Sequence, residues 1–290
     1  QSPSRTVSFL GDYMRLILII IALLGLSILR ADIAYNPGDF WQDGFCVQRT
    51  AKTPPAGSKS IEAQLENKWE SLPLVDFPEA FWTWNKMRRT EYLETFRQML
   101  SGKEHGAPKL SGPHNGMVAT WGMARSDSHF KLNNAVKGCG FLPKAEKLAE
   151  ITELLQESID SDMLTKLNIL DSLYQSAEEV FSPNQLVSLE LYSEPGYNTQ
   201  TFINQMLNPA CVTVFLDIPT FKVKQIARLL DPLDPGLSAY EKAVVRYVNL
   251  VHSFFHGDFP RDYITVIYYN IEIYDSSPGR KDARGTKITP

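Results

Sequence analysis

The stretch 263-YITVIYYNIEIY-274 has the composition of a long β-strand. It is dominated by β-branched and aromatic residues, which favour strands over helices. Because successive side chains of a strand point to opposite faces, one face carries Thr265, Ile267, Tyr269, Ile271 and Ile273. A face this apolar is buried in a folded protein. The stretch therefore predicts a strand of a sheet that other elements cover.

Two similar stretches lie upstream, 186-LVSLELY-192 and 211-CVTVFLDI-218. Segments typical of helices separate the three strands, at 198–207, 220–230 and 238–256. In the last of these, Ser238 and Glu241 have the spacing of a capping box, which marks a helix start. The order β-α-β-α-α-β predicts a small C-terminal sheet covered by helices.

The middle of the chain has a helical period instead. Helices are predicted at 76–100, 144–158 and 161–180, and a short polar helix at 61–69. In the first of these, the pair Arg88–Arg89 falls off the apolar face and predicts a solvated surface. The stretch 101–143 is rich in Gly and Pro and shows no apolar period, so long irregular loops are expected there.

Changes in composition divide the chain into five segments. They are an N-terminal tail and membrane anchor helix (1–34), an interfacial aromatic segment and linker (35–75), a helical region with a long loop (76–181), a small α/β sheet region (182–275) and a basic C-terminal tail (276–290). The predicted fold class is α+β, with an N-terminal transmembrane or membrane-inserted helix, a helical middle region and a small C-terminal sheet.

The anchor is predicted from an uncharged apolar run of 14 residues, Leu16 to Leu29. As a helix it would measure roughly 21 Å, against a hydrocarbon core of about 30 Å. Its anchor residues are Leu16, Ile20, Leu24 and Ile28. Charged and aromatic residues suited to the membrane interface flank it: Tyr13, Arg15, Arg30, Tyr35, Phe40 and Trp41.

This pattern predicts a single-pass membrane protein of an organellar inner membrane, a thylakoid membrane or a bacterial inner membrane. The basic residues before the run slightly outweigh those directly after it, so the larger part of the chain is expected on the non-cytoplasmic side. An alternative interpretation buries residues 16–29 in the core of a soluble interaction module.

The sharpest candidates for chemistry are His252, His256 and Asp258. Residues four apart converge on one helix face, and two such histidines can share a metal ion. No glutamate follows the first histidine, so the zinc-protease motif is absent, and histidines that meet the carbonyls of a helix end are the commoner reading. Further upstream, His105, His114, His129 and Cys139 have spacings that match no compact metal motif.

No phosphate-binding, dinucleotide-binding or serine-hydrolase motif occurs in the sequence. The net charge of −4 argues against general nucleic-acid binding, and no catalytic residue or cofactor is indicated. The expected function is a non-catalytic accessory or structural subunit of a larger membrane complex, energy-converting by analogy only. The alternative is a membrane-tethered metal-binding protein or enzyme that uses His252, His256 and Asp258.

The C-terminal tail is basic and has one large apolar residue, Ile288. Such a segment buries too little surface to offset the conformational entropy that it loses on ordering. An acidic partner subunit or a lipid layer is therefore expected to hold it, through Arg280, Lys281 and Arg284.

Overall fold

The computed structural model describes residues 40–102, 111–125, 127–257, 259–279 and 285–290. Over these residues the fold is α+β, with a curled antiparallel sheet that forms a half-barrel and six helices around it. The helices are α1 (Glu79–Leu100), α2 (Leu148–Glu157), α3 (Met163–Gln175), α4 (Ala177–Val180), α5 (Gln200–Leu207) and α6 (Ala239–His256).

The main sheet has eight strands in the order β6-β5-β9-β10-β11-β8-β7, with β12 paired to β11, and two small hairpins, β1–β2 and β3–β4, stand apart from it. The strands are β1 (Trp41–Gln42), β2 (Phe45–Cys46), β3 (Ser60–Leu65), β4 (Lys68–Pro73), β5 (Asn115–Trp121), β6 (Leu132–Gly138), β7 (Gly140–Pro143), β8 (Phe181–Glu190), β9 (Ala210–Phe215), β10 (Phe221–Leu230), β11 (Ile264–Asp275) and β12 (Thr286–Lys287). Every pair in the main sheet is antiparallel.

The two edge strands of the sheet, β6 and β7, are joined by a single residue, Cys139. A link this short forces the sheet to curl until its edges meet. The Cys139 amide donates a 2.7 Å hydrogen bond to the carbonyl of His114, which directly precedes β5. Across the same gap, Lys137 of β6 forms a 2.7 Å ion pair with the buried Glu190 of β8. These contacts hold the half-barrel closed at one end.

Helices fill and cover the half-barrel. On α5, Asn204 donates to the hydroxyl of Thr120 at 3.2 Å, so α5 lies against β5. On α1, Trp84 packs against Phe221 of β10 with the ring centroids 5.1 Å apart. Helix α6 lies against β8 and β11, while α2 packs on α6 and α3 packs on α1. The core is therefore continuous between the sheet and the helices.

Several local predictions are confirmed. Strand β11 spans Ile264–Asp275, and its predicted buried face is almost fully buried, with Ile271 half-buried. Ser238 and Glu241 form a complete capping box at the start of α6. The short helix expected at 198–207 is α5.

Other local predictions are wrong. The polar helix expected at 61–69 is the β3–β4 hairpin, and the helix expected at 220–230 is strand β10. The stretch 101–143 is not irregular throughout, since its described residues supply β5, β6 and β7 to the main sheet. The sheet is therefore neither small nor confined to the C-terminal part, because it also takes strands from the middle region.

The predicted membrane anchor needs a correction. Among the residues that the structure describes, no helix is long and apolar enough to cross a membrane, and a single-pass location in an organellar, thylakoid or bacterial inner membrane is not supported. The apolar run, with Leu16, Ile20, Leu24 and Ile28, lies outside the described residues.

The described end of the C-terminal tail packs on the chain's own sheet. Strand β12 pairs with β11, the Ile288 amide donates to the Ile273 carbonyl at 2.9 Å, and the Thr289 hydroxyl accepts from the Ile273 amide. The predicted partner contacts, Arg280, Lys281 and Arg284, lie outside the described residues and stay predictions.

Gly116 on β5 allows the close approach at the closed end of the half-barrel. A Cβ atom added there would lie 2.7 Å from Sγ of Cys139 and 2.7 Å from Cγ2 of Thr213, too close for either contact. We expect Gly116→Ala to lower the free energy of unfolding by about 1–3 kcal/mol through overpacking, measured by urea denaturation.

Gly140→Ala is the matched control on the other side of Cys139. Its added Cβ would meet only Cγ2 of Val187, at an ordinary contact distance of 3.7 Å. We expect a change within about 0.5 kcal/mol. Equal losses of stability in the two variants would contradict the close approach at Gly116.

Candidate functional site

A cavity of about 190 Å³ lies between the closed end of the half-barrel and the helices α1, α3 and α6. An engineered cavity of about 150 Å³ holds a benzene molecule, so this volume is enough for a small organic ligand. Its floor is formed by residues 138–140, where β6 passes into β7, and by β8. The curl of the sheet and the cavity therefore depend on the same few residues.

Most of the cavity wall is apolar. The large apolar side chains that line it come from α1, α3, β8 and α6: Leu93, Phe96, Leu170, Leu189, Val251 and Phe255. A wall of this kind favours the aromatic or aliphatic part of a ligand. The polar groups are few and lie together, on α1, at His114 and at the end of α6.

Arg89 is the main polar residue of the cavity, and it is only 7% exposed. Its Nε donates to Oδ1 of Asn85 at 3.0 Å, one Nη donates to the Tyr174 hydroxyl at 3.1 Å, and the other donates to the Cys139 carbonyl at 3.0 Å. The guanidinium also lies over the ring of Tyr174, 4.5 Å from its centroid.

All of these partners of Arg89 are neutral. No carboxylate forms an ion pair with it within the part of the chain that the structure describes. A buried guanidinium is normally paired with an acid, because hydrogen bonds to neutral groups offset only part of the cost of removing a charge from water. The cavity wall therefore carries a positive charge that has no counterion among the described residues.

His114 lines the same cavity, beside Tyr92, with the two ring centroids 6.3 Å apart. Burial, followed by the positive charge of Arg89 and the nearby His256 and His252, lowers the pKa of His114 to about 4. A positive charge disfavours a second one nearby, so the His114 imidazole is neutral at pH 7.

His252 and His256 converge at the end of α6 as the sequence predicts, with ring centroids 4.7 Å apart, and both line the cavity. Burial and the neighbouring His256 lower the pKa of His252 to about 4. Asp258 lies outside the described residues. Among the residues that are described, no three His, Cys, Asp or Glu side chains lie close enough together to hold a metal ion. The metal-site hypothesis therefore gains no third ligand from them.

Cys139 lines the cavity but is not suited to nucleophilic chemistry. Burial raises the pKa of its thiol to about 11, so the thiol stays protonated at neutral pH. Cys46 and Cys211 are also free and buried, and burial raises the pKa of both. All three cysteines act as small apolar side chains.

The aromatic residues expected at a membrane interface lie elsewhere. Phe40 and Trp41 are both buried against Phe202 of α5, and the Trp41 indole stacks on the Phe202 ring with centroids 5.5 Å apart. The Trp41 Nε1 donates to Oδ1 of Asn198 at 2.9 Å. The other predicted interface residues, Tyr13, Arg15, Arg30 and Tyr35, lie outside the described residues.

Sequence reasoning missed Arg89. The solvated surface predicted for the pair is wrong for this residue, while Arg88 is half-buried and pairs with Asp217 at 2.6 Å. The signal was present in the spacing, because residues four apart on a helix share a face. A spacing of four places Arg89 on one face with three other buried side chains: Phe81, Asn85 and Leu93.

No family model matches the chain, and no curated protein matches it. The cavity itself combines one buried cation, two imidazoles that are neutral at pH 7 and an apolar wall. This arrangement suits a small ligand that has one anionic group and an apolar body.

The lowered histidine pKa values predict an acid-sensitive fold. His114 has a pKa near 4 in the folded protein and an ordinary value of 6.5, so the unfolded chain binds the proton more tightly. The stability that this difference provides is fully present above about pH 6.5 and is lost as the pH falls toward 4. Between pH 6.5 and pH 4, we expect the free energy of unfolding of the wild type to fall by about 1–2 kcal/mol more than that of His114→Gln.

Urea denaturation at pH 8, 6.5, 5.5 and 4.5 measures this difference. His129→Gln, at an exposed position, controls for the loss of one histidine. Parallel pH profiles of the wild type and His114→Gln would contradict a neutral, buried His114.

Proposed function

We propose that this protein binds a small organic carboxylate in the cavity between the half-barrel and the helices α1, α3 and α6. The single observation that carries the proposal is Arg89, a guanidinium 7% exposed on the cavity wall with neutral partners at 3.0–3.1 Å. The proposed ligand is an aromatic or aliphatic monocarboxylic acid of a size close to that of benzoate.

The charge of Arg89 supports an anionic ligand. A guanidinium has five N–H donors, and three of them bond to Asn85, Tyr174 and the Cys139 carbonyl. Among the described contacts, two donors therefore remain for a ligand. A carboxylate would neutralise the buried charge and accept these hydrogen bonds, and charge-assisted bonds of this kind are about twice as strong as neutral ones.

The neutral imidazoles support the same ligand class. His114 and His252 carry no charge at pH 7. A neutral imidazole keeps one N–H that can donate to an anion, so neither side chain has to be protonated, at a cost in folding stability, before the ligand binds. The apolar wall favours a ligand whose remaining atoms are carbon. A dianion or a sugar has too many polar groups for this wall.

The non-catalytic subunit of a larger complex, expected from the sequence, stays a prediction. None of the contacts within the chain bears on it. Binding of a small carboxylate is compatible with such a role and does not require it.

The first experiment compares benzoate with benzamide on the full chain by isothermal titration calorimetry. The two molecules have nearly the same shape and differ in charge. We expect benzoate to bind about tenfold or more tightly than benzamide, because only the carboxylate pairs with the guanidinium. Benzamide binding as tightly as benzoate would contradict the proposal, and this comparison needs no variant.

Variants then place the interaction at Arg89. We expect Arg89→Met to abolish the preference for benzoate over benzamide, and Val251→Trp to abolish binding of both by filling the cavity. Arg97→Met is the matched control, because Arg97 lies on the same helix and pairs with Asp171 outside the cavity. Circular dichroism checks that each variant is folded. A full preference for benzoate in a folded Arg89→Met variant would exclude Arg89 as the anion-binding group.

A further inference from the structure

Three neighbouring strands of the main sheet, β6, β5 and β9, carry apolar side chains on the side of the sheet that points away from its interior. Residues opposite each other in an antiparallel pair lie on the same side of a sheet. Met117 of β5, for example, lies opposite both Val136 of β6 and Val214 of β9. We call the apolar residues that this register places side by side the outer face: Met117, Ala119, Trp121, Leu132, Val136, Val212 and Val214.

The side chains that alternate with the outer face point to helix α5. Asn204 of α5 donates to the Thr120 hydroxyl of β5 at 3.2 Å, and Asn133 of β6 donates to the Thr201 hydroxyl of α5 at 2.9 Å. Helix α5 therefore covers the opposite side of these strands. Within the described part of the chain, none of the seven residues of the outer face packs into the hydrophobic core.

The outer face is open and uncharged. The exposed fraction is 55% for Trp121, 63% for Leu132 and 67% for Val136, and the other four side chains are half-buried. An antiparallel sheet with one side toward water normally alternates apolar inward residues with polar outward ones. Strands β5, β6 and β9 have no charged residue on their outward side. A contiguous apolar surface of this kind is typical of an interaction site.

We propose that the apolar segment of the same chain, residues 16–29, packs across the outer face. This segment has 14 residues and carries no charge. It lies outside the described residues. Its docking is independent of the proposed carboxylate site, which lies on the other side of the sheet, among α1, α3 and α6.

The dimensions of the segment match those of the face. Strand β5 has seven residues, which extend over about 20 Å, and the axes of three neighbouring strands span about 10 Å. As a helix, 14 residues would measure roughly 21 Å in length and about 10 Å across. One such helix would cover the outer face from end to end.

The described chain begins within reach of the outer face. Phe40 packs on Phe202 of α5 with ring centroids 6.0 Å apart, and α5 bonds to Thr120 and Asn133 beside the turn of the β5–β6 hairpin. The ten residues 30–39 join the apolar segment to Phe40, and ten residues span at most about 33–36 Å. A tethered segment has an effective concentration of the order of millimolar, which favours it over a separate molecule.

A photo-cross-link in the full chain tests which molecule covers the outer face. The photoreactive residue p-benzoylphenylalanine replaces Trp121, an exposed aromatic residue of similar size. Trypsin cuts after Arg15 and Arg30, so the apolar segment is released as one peptide for mass spectrometry. We expect irradiation to join position 121 to this peptide within one chain, without a product of doubled mass.

The matched control places the same photoreactive residue at Leu164, an exposed leucine on α3. We expect no cross-link from there to residues 16–29. A cross-link from position 121 to a second chain or to lipid, or none to residues 16–29, would overturn the proposal.

Cysteine labelling tests whether the apolar character of the segment holds it in place. We expect a maleimide to react with Ala119→Cys at least about tenfold faster when Leu23→Asp and Leu24→Asp are also present, because a carboxylate is costly to bury against an apolar face. Leu164→Cys is the control, and its rate is expected to stay the same. The three native cysteines are buried, so their labelling would report unfolding. A rate at Ala119→Cys that the two aspartates leave unchanged would exclude docking of the segment.

Discussion

Cys139 connects the two edge strands of the sheet directly, and this one-residue link constrains the rest of the fold. With β6 on one side and β7 on the other, the sheet has to curl until its edges meet. The curl brings Lys137 within 2.7 Å of the buried Glu190, and it requires a glycine at 116, where a side chain would collide with the Cys139 sulfur. The same residue offers its carbonyl to Arg89 and its amide to the His114 carbonyl. The closure of the half-barrel and the polar corner of the cavity are thus one set of contacts.

Arg89 is hard to explain as a residue that only stabilises the fold. Its hydrogen bonds to Asn85, Tyr174 and the Cys139 carbonyl join α1, α3 and the sheet, but an apolar side chain could fill the same volume without burying a charge. Its positive charge also helps to keep His114 neutral, which costs stability in acid. A carboxylate ligand would reverse both effects, because it pairs with the guanidinium and favours a protonated imidazole. The proposed function therefore explains why the cavity keeps groups that lower the stability of the protein when no ligand is bound.

The elements that sequence reasoning predicted well depend on local signals. The capping box at Ser238 and Glu241 and the long alternation of β11 are complete within a few residues, so neighbours far along the chain do not alter them. The failures also have local causes. Strand β10 contains a register shift between Lys224 and Gln225, which breaks the alternation of buried residues, so the segment lacks the period-2 pattern that predicts a strand. The β3–β4 hairpin turns at Glu66 and Asn67, both with positive φ, a signal weaker than the Asn-Gly pair that usually marks such turns.

The sequence by itself determined the α+β class, the helix α6, the strand β11, and the convergence of His252 and His256 on one face of α6. Each of these follows from the spacing of residues along one element. The tertiary structure alone decided that the glycine-rich stretch 111–143 forms three strands, and the close contact that Gly116 allows joins strands distant in sequence. It also decided that Arg89 and His114 share one cavity with His252. Their proximity arises from the curl of the sheet, and no spacing within one segment of the chain encodes a contact between residues so far apart.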